Sequence, residues 1–337
     1  MKPILLPTLL FLFSATLLGQ WVKQTVNTTA SFRGLSVVSE KVVWASGTGG
    51  TVIKTTDGGT TWQVLKVPGA DKLDFRDIEA FDRNTAYILS IGNGDSSRIY
   101  KTVNGGDSWT LQFTNSDPKA FFDAIACWDA ANCVAMSDPV DNRFLLISTV
   151  DGTNWTKPGT DRRSPPTRSE EGEAAFAASG TCLLARGKSE LYLVSGGTNA
   201  RVFASRDRGE TWTVADAPVA KGTAGSGVFS IAMANEKIGV IVGGNYEKPE
   251  VAENTLAVTH TASSVWAGRS GLSGYRSGVV FVDDKTIIAV GTNGSDMSTD
   301  QGVTWQKMGS ENLNAVAAKG RKAVWAVGPN GLVVKFR

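Results

Sequence analysis

The chain has 337 residues, a formal charge of +2 from 34 Lys and Arg against 32 Asp and Glu, and 42% hydrophobic residues. This balance is typical of a globular protein. The near-neutral charge argues against a strongly basic, nucleic-acid-binding protein, so we expect no nucleic-acid partner. A single domain of this length is typical of repeat architectures and closed β-folds.

The N-terminus has the pattern of an export signal. Residues 1–19 carry one basic residue, Lys2, followed by an apolar run over residues 4–18. This pattern predicts a secretory signal peptide, because the run is too short and too close to the N-terminus for a membrane anchor. Gln20 stands where a lipoprotein signal would need cysteine. We expect an exported protein, periplasmic or secreted, with no integral membrane segment after signal cleavage.

A short turn pattern recurs along the rest of the chain: Ser or Thr, then Asp or Asn, glycine, a small residue and tryptophan. Six tryptophans end such a turn, one of them in a shortened copy and one in a decayed copy, and a seventh opens the chain without a turn. Consecutive tryptophans are 39 to 57 residues apart, by subtraction of their numbers, which suits a four-stranded propeller blade. The seven are Trp21, Trp62, Trp109, Trp155, Trp212, Trp266 and Trp305.

Each interval holds an inner-strand candidate, a second apolar run that usually ends in glycine, and a third β-branched run, with no helix-period segment competing. The last repeat stops after its third strand, and the strand at Trp21 supplies the missing one. The sequence therefore predicts an all-β fold, a seven-bladed β-propeller over residues 20–337 with four-stranded blades, closed by the N-terminal strand. In the fourth repeat we expect the inner strand at residues 173–179 and the second strand at residues 182–187.

The recurring turn has a structural explanation. Its carboxylate can accept hydrogen bonds from the backbone N–H groups of the turn, its glycines supply positive φ, and its tryptophan packs between neighbouring sheets. We expect structural roles for five pairs, which are Asp57 with Trp62, Asn104 with Trp109, Asp151 with Trp155, Asp207 with Trp212, and Asp300 with Trp305.

With its S/T-x-D-x-G-x-T-W turns, the chain resembles the Asp-box (BNR) propellers. Within them it is most similar to the photosystem II stability/assembly factor family and its relatives in non-photosynthetic bacteria. The resemblance covers residues 21–337. It implies a non-catalytic, protein-binding assembly or stability factor of the bacterial envelope, and we expect a monomer that recognises a protein partner.

In a propeller, the turns that lead into the inner strands and those that join the second and third strands surround the central channel on one face. Charged side chains there either recognise a partner, with arginines pairing with its carboxylates, or cap the channel by pairing with one another. A charged loop over residues 159–172 should project over the same face, as a binding loop or as a spacer. For the group we expect recognition by Arg33, Arg76, Asp77, Asp123, Arg143, Glu173, Tyr246, Tyr275 and Arg276.

The alternative function is a sialidase-like glycoside hydrolase. Such a site needs a Tyr paired with a Glu near three arginines. Two Phe-Arg elements, at Arg33 and Arg76, are faintly similar to the Phe-Arg-Ile-Pro element of sialidases but lack its proline. Tyr275, Glu173 and Arg276 would complete the set.

Metal and redox chemistry have little support in the sequence. His260 is the single histidine, and no Cys/His pair has ligand spacing, so we expect no metal and no cofactor. Cys127 and Cys133 flank a short polar link and are either bridged across a hairpin or two separate buried thiols. Cys182 is left over.

Overall fold

Seven small β-sheets make up residues 20–156, 167–261 and 265–337, the part of the chain that the computed structural model describes. The predicted signal peptide, residues 1–19, lies outside these residues. Within them, helix is confined to one 3₁₀ turn, Gly94–Ser96, and no helix is long and apolar enough to cross a membrane. The prediction of an all-β, seven-bladed propeller is confirmed.

The two ends of the chain close the last blade together. Strand β1, Trp21–Lys23, pairs antiparallel with the C-terminal strand, with Trp21 opposite Phe336. The Trp21 ring packs edge-on against Phe336 at 5.5 Å between ring centroids, and its indole N–H donates to the Ser295 hydroxyl of the preceding blade at 2.9 Å. The predicted closure is confirmed, and it pairs strands that would otherwise be exposed sheet edges.

Blades one to three follow the predicted strand order. In blade three the described residues form three strands, and an antiparallel bridge between Ser148 and Thr156 marks the fourth position. The strands are β2 Phe32–Val37, β3 Val43–Gly47, β4 Thr51–Thr55 and β5 Gln63–Lys66 in blade one, β6 Phe75–Ala80, β7 Ala86–Ser90, β8 Arg98–Thr102 and β9 Thr110–Thr114 in blade two, and β10 Phe122–Cys127, β11 Cys133–Val140 and β12 Arg143–Thr149 in blade three.

Blades four to seven complete the ring, and two short strands, β13 and β16, extend the sheet of blade five to six strands. The two short strands are β13 Glu173–Ala174 and β16 Gly196–Gly197. Blade four holds β14 Leu183–Arg186, β15 Glu190–Val194, β17 Arg201–Ser205 and β18 Thr213–Asp216, and blade five holds β19 Ser226–Met233, β20 Gly239–Asn245, β21 Leu256–Thr259 and β22 Ala267–Arg269. Blade six holds β23 Gly278–Phe281, β24 Ile287–Gly291, β25 Gly294–Ser298 and β26 Gln306–Gly309, and blade seven holds β27 Ala315–Ala318, β28 Val324–Val327 and β29 Val333–Phe336.

Blade four differs from the prediction. Its inner strand is β14 and its second strand is β15, so the predicted positions at residues 173–179 and 182–187 were wrong. The buried run of β15 is followed by Gly196, the same apolar-to-glycine pattern that marks the second strands of most other blades. Only Glu173 and Ala174 of the expected inner strand pair with a neighbour, and that neighbour is β16.

The tryptophans of the repeated turns pack between neighbouring blades. Trp62 of blade one meets Trp325 of blade seven edge-on, with ring centroids 5.6 Å apart. Trp155 of blade three meets Tyr87 of blade two in the same way at 5.9 Å. Trp62 and Trp155 are partly buried and border apolar clusters to which two adjacent blades contribute. Each such ring therefore helps to hold one blade against the next.

The turns themselves share a hydrogen-bond pattern. Asp57 accepts from the backbone N–H of Thr61 at 2.9 Å and from the hydroxyls of Thr61 and Thr55 at 2.6 and 2.8 Å. The hydrogen bonds from Thr61, the strongest of these effects, lower the pKa of Asp57 to about 2. Gly58 has a φ of 74°, which a side chain rarely adopts. Side-chain oxygens accept backbone N–H bonds in the same way at Asn104, Asp151, Asp207 and Asp300.

Cys127 and Cys133 form a disulfide between neighbouring strands of blade three, where they face each other in register. This settles the alternative that the sequence left open. Cys182 is a free, buried thiol.

Candidate functional site

A β-bulge near the start of the inner strand recurs in four blades. The strand register skips one residue at Arg33 in β2, Arg76 in β6, Asp123 in β10 and Phe229 in β19. A bulged residue leaves the ladder, so its side chain can be aimed away from the sheet. All four side chains are aimed at the centre of the ring, where they contact residues 176–178.

A segment of irregular chain, residues 175–181, lies across that centre, and we call it the channel segment. Arg33 of blade one donates from Nη1 to the carbonyl of Ala178 at 3.1 Å, and Arg76 of blade two donates from Nη1 to the carbonyl of Ala177 at 3.3 Å. Ala177 and Ala178 are buried. The residues expected to form the inner strand of blade four therefore bridge the channel instead.

Blades three and six also hold the channel segment. The backbone N–H of Ala175 donates to Asp138 Oδ1 of blade three at 2.8 Å. The Ser179 hydroxyl donates to the carbonyl of Ser277, which leads into blade six, at 2.7 Å. Since blades one, two, three and six all contact it, the channel segment closes the channel mouth.

An aromatic cluster borders the channel segment. Phe176 stacks on Phe229 with ring centroids 3.8 Å apart and planes 7° apart. Tyr275 meets Phe229 edge-on at 4.8 Å, and Tyr246 does so at 6.3 Å. Phe229 and Tyr275 are buried, Phe176 is partly buried, and Tyr246 is 49% exposed. Sequence reasoning singled out both tyrosines but missed the phenylalanines, which look like ordinary core residues in the sequence.

Two candidate residues are fully engaged inside the protein. Arg276 is completely buried, and its guanidinium donates to Asp296 Oδ2 at 2.7 Å and to Asn293 Oδ1 at 2.5 Å. Glu173 is also buried and forms a bidentate ion pair with Arg201. Neither side chain is presented to a partner, so the expectation that they form part of an open recognition surface is corrected here.

The same contacts show that the residues of the alternative sialidase-like site do not form one site. Glu173 is bound by Arg201 and by the Ser195 hydroxyl, while the ring of Tyr275 lies in the aromatic cluster. Arg276 is held by Asp296. The Tyr, the Glu and the third Arg therefore each have a separate structural partner.

Two buried carboxyl groups, Asp77 and Asp123, and the partly buried Asp138 contact the channel segment. Asp77 accepts backbone N–H bonds from Ile78 at 2.8 Å and Ile125 at 2.7 Å, yet burial raises its pKa to about 7. Burial also raises the pKa of Asp138 to about 6, and burial together with Asp138 raises the pKa of Asp123 well above its usual range. Asp77 and Asp123, which the sequence predicts as recognition residues, are therefore buried groups that contact the channel segment and are not presented to a partner.

The channel segment is in close contact with Asp77 at Gly180. Gly180 has a φ of 76°, and a Cβ atom at this residue would collide with the Asp77 carboxylate. Glycine is therefore required where the segment turns down into blade four.

The accessible charged candidates are two neighbouring arginines. Arg33 is partly exposed, and burial and the adjacent Arg76 guanidinium lower its pKa from the ordinary value. Arg76 is 30% exposed and pairs through Nε with Asp74 Oδ2 at 2.8 Å. Arg143 is exposed at the start of β12 in blade three.

A groove of about 670 Å³ opens beside blade three. Lys119, Phe121, Asp141 and Glu170 are among its lining residues. The predicted charged loop contributes one wall, since Ser169 donates its backbone N–H to the carbonyl of Asn142 at 3.1 Å. Residues 157–166, which hold most of that loop, lie outside the described part of the chain.

No group of three or more His, Cys, Asp or Glu side chains is placed to hold a metal ion in the described ranges. His260 is exposed at the end of β21, remote from the channel segment in the sequence.

No protein-family model matches the chain, and no curated protein matches it. Solved structures match over almost its whole length. The structure titled "YCF48 bound to D1 peptide" aligns with a TM-score of 0.69 at 16% identity, covering 94% of this chain and 96% of that one. YCF48 from Cyanidioschyzon merolae aligns with a TM-score of 0.62 at 17% identity, covering 94% and 99%.

A glycoside hydrolase propeller is also similar. The GH74 enzyme of Niastella koreensis aligns with a TM-score of 0.61 at 13% identity, covering 94% of this chain but 53% of the enzyme. At these identities each likeness shows the propeller fold alone.

Proposed function

We propose that this protein is a non-catalytic binding or assembly factor that recognises a protein partner on the face above the channel segment. The observation that carries the proposal is the full-length likeness to YCF48 solved with a bound D1 peptide. The Asp-box turns and the resemblance to the photosystem II stability/assembly factor family support the same assignment.

We call the surface formed by the channel segment, Arg33, Arg76 and Tyr246 the channel face. Its arginines offer hydrogen-bond donors suited to a carboxylate of the partner. A guanidinium has five N–H donors. The hydrogen bonds described above use one donor of Arg33 and two of Arg76, so further N–H groups are available to an incoming acceptor. Charge-assisted bonds from arginine to carboxylate are among the stronger hydrogen bonds in proteins.

We further propose that the chain is exported and works as a monomer in the periplasm or outside the cell. The N-terminal pattern supports export, and so does the Cys127–Cys133 disulfide, because such bonds persist in oxidising compartments. Intact-mass measurement of the protein from its own cells should find a chain starting near Gln20. A chain that retains residues 1–19 would contradict export by signal cleavage.

The test of the function is affinity capture from the envelope fraction of the source organism, using the chain from residue 20. We expect one stoichiometric partner with the native protein and at least tenfold less with Arg33→Gln combined with Arg76→Gln. Arg83→Gln is the matched control, since Arg83 is an exposed arginine in the hairpin between β6 and β7 at the opposite end of the inner strand.

Two outcomes would contradict the proposal. One is capture that is equal for all three proteins at equal melting temperature. The other is turnover of a fluorogenic glycoside with no partner captured, which would favour the hydrolase.

A further inference from the structure

An exposed aromatic side chain stands at the edge of the channel face. Tyr246, 49% exposed, is the single aromatic residue among the well-exposed large hydrophobic side chains of residues 20–156, 167–261 and 265–337. The others are valines and one leucine, most of them in the repeated turns or outer strands. Tyr246 therefore differs from the rest both in chemistry and in position.

The backbone that carries Tyr246 is held in place. Tyr246 donates its N–H to the carbonyl of Gly225 at 3.1 Å, and Asn245 Oδ1 accepts the N–H of Glu247 at 2.9 Å. The ring meets Phe229 edge-on, and Phe176 stacks on the same Phe229 ring. A tyrosine fixed in this way offers contact area to a ligand at a small cost in conformational entropy.

Positive charge lies next to this aromatic surface. Arg33 bonds to the carbonyl of Ala178, two residues after Phe176, and no carboxylate in the described part of the chain lies within ion-pair distance of it. Its neighbour Arg76 pairs with Asp74, and the remaining carboxyl near that arginine, Asp123, is buried. The partly exposed charge at Arg33 is therefore left for an outside group to neutralise.

We propose that the channel face binds an extended segment of the partner protein in which an aromatic side chain lies close to a carboxylate. The aromatic ring would pack on Tyr246 and the exposed edge of Phe176, and the carboxylate would pair with Arg33. This inference rests on the proposed function and specifies the chemistry of the partner.

The spacing of the two subsites limits the motif. Phe176 and the Arg33 contact at Ala178 are two residues apart along the channel segment. The chain turns tightly between them, because the Ala178 N–H donates to the carbonyl of Phe176 at 2.8 Å, so the two subsites border the same turn. The aromatic residue and the acidic residue of the partner should therefore lie within about three positions of each other.

The probe is a library of random 12-residue peptides selected on the protein from residue 20. We expect enriched peptides to carry Phe, Tyr or Trp within three positions of Asp or Glu. Tyr246→Ala should weaken a synthetic peptide of the enriched sequence at least tenfold. Val103→Ala is the matched control, since Val103 is an exposed apolar residue in a repeated turn on the opposite face.

A double-mutant cycle assigns the contact. Replacing the aromatic residue of the peptide by alanine should weaken binding to the native protein but not weaken it further in Tyr246→Ala. Arg33→Gln should reduce the salt dependence of binding. Enriched peptides without the paired aromatic and acidic residues, or no enrichment at all, would overturn the inference.

Two results distinguish a failure of this inference from a failure of the proposed function. If the envelope partner is still captured by Tyr246→Ala but not by the Arg33→Gln, Arg76→Gln variant, the binding function holds and the aromatic subsite is wrong. If the native protein captures no partner, the binding function itself is wrong.

Discussion

Replacing Arg276 by alanine should destabilise the propeller strongly. The guanidinium is completely buried, and it bonds to Asp296 Oδ2, Asn293 Oδ1 and the Ser273 hydroxyl at 2.7, 2.5 and 2.6 Å. Truncation leaves the carboxylate of Asp296, itself completely buried, without its counter-charge. Breaking a buried ion pair from one side costs about 3–5 kcal/mol, because the remaining charge stays out of water.

That cost converts into a measurable melting shift. Unfolding entropy is about 2.1 cal/mol/K per residue, so for a chain of this length 1 kcal/mol lowers the melting temperature by about 1.5 °C. We expect Arg276→Ala to melt about 6 °C below the native protein in calorimetry. Arg276→Met combined with Asp296→Leu should recover part of the loss, because it removes both charges.

Arg76→Ala is the control for an arginine that is ion-paired but accessible. Its pair with Asp74 is 30% and 25% exposed, and exposed pairs contribute about 0–1 kcal/mol. We expect its melting temperature to fall by less than about 3 °C once the lost bond to Ala177 is included. An Arg276→Ala protein that melts no lower than Arg76→Ala would refute the buried ion pair.

The remaining predictions concern Asp77 and Trp62. Burial raises the pKa of Asp77 to about 7, so the folded state keeps a proton that the unfolded chain has lost, and stability falls as the pH rises from about 4 to 7. Urea unfolding at pH 5 and pH 7 should show the native protein losing about 2 kcal/mol more than Asp77→Asn, and parallel pH profiles would contradict this. Trp62→Ala removes a partly buried ring from Trp325 and should cost about 2–4 kcal/mol by urea unfolding. A loss below about 1 kcal/mol would show that the ring does not join the two blades.

The blade count was predictable because its signal is local. Each turn confines its acid, glycines and tryptophan to a few consecutive residues, and Trp62 marks its blade without reference to any other. The closure was predictable for the same reason, since a lone strand at Trp21 and a last repeat with only three predicted strands are both visible in the sequence.

Blade four could not be assigned from the same local pattern. The interval from Trp155 to Trp212 is 57 residues, the longest of the six, and it contains two apolar runs that both end near a glycine, at Gly187 and Gly196. The sequence favours the earlier run as the second strand, and this assignment places the predicted inner strand in what the structure shows to be the channel segment. The surplus length was the signal that an additional piece of chain had to be placed somewhere.

The partners of the candidate site residues could not be predicted. The sequence predicts Arg276 and Glu173 near the channel mouth, and in the structure each is buried in an ion pair. Their counter-charges, Asp296 and Arg201, lie 20 and 28 residues further along the chain, on other strands. Pairing over such separations depends on the assembled ring, so a single sequence cannot show which arginines remain free.

Closure of the channel decides which chemistry the face can offer. A glycosidase needs carboxyl groups that reach a sugar in an open cleft. Here Asp77 and Asp123 are buried, and the channel segment meets Asp77 at Gly180, so a ligand on the face cannot reach them. What the segment leaves accessible is guanidinium and aromatic surface at Arg33 and Tyr246. Arginine and tyrosine are enriched at the energetic centres of protein interfaces, so the closed channel favours recognition over hydrolysis.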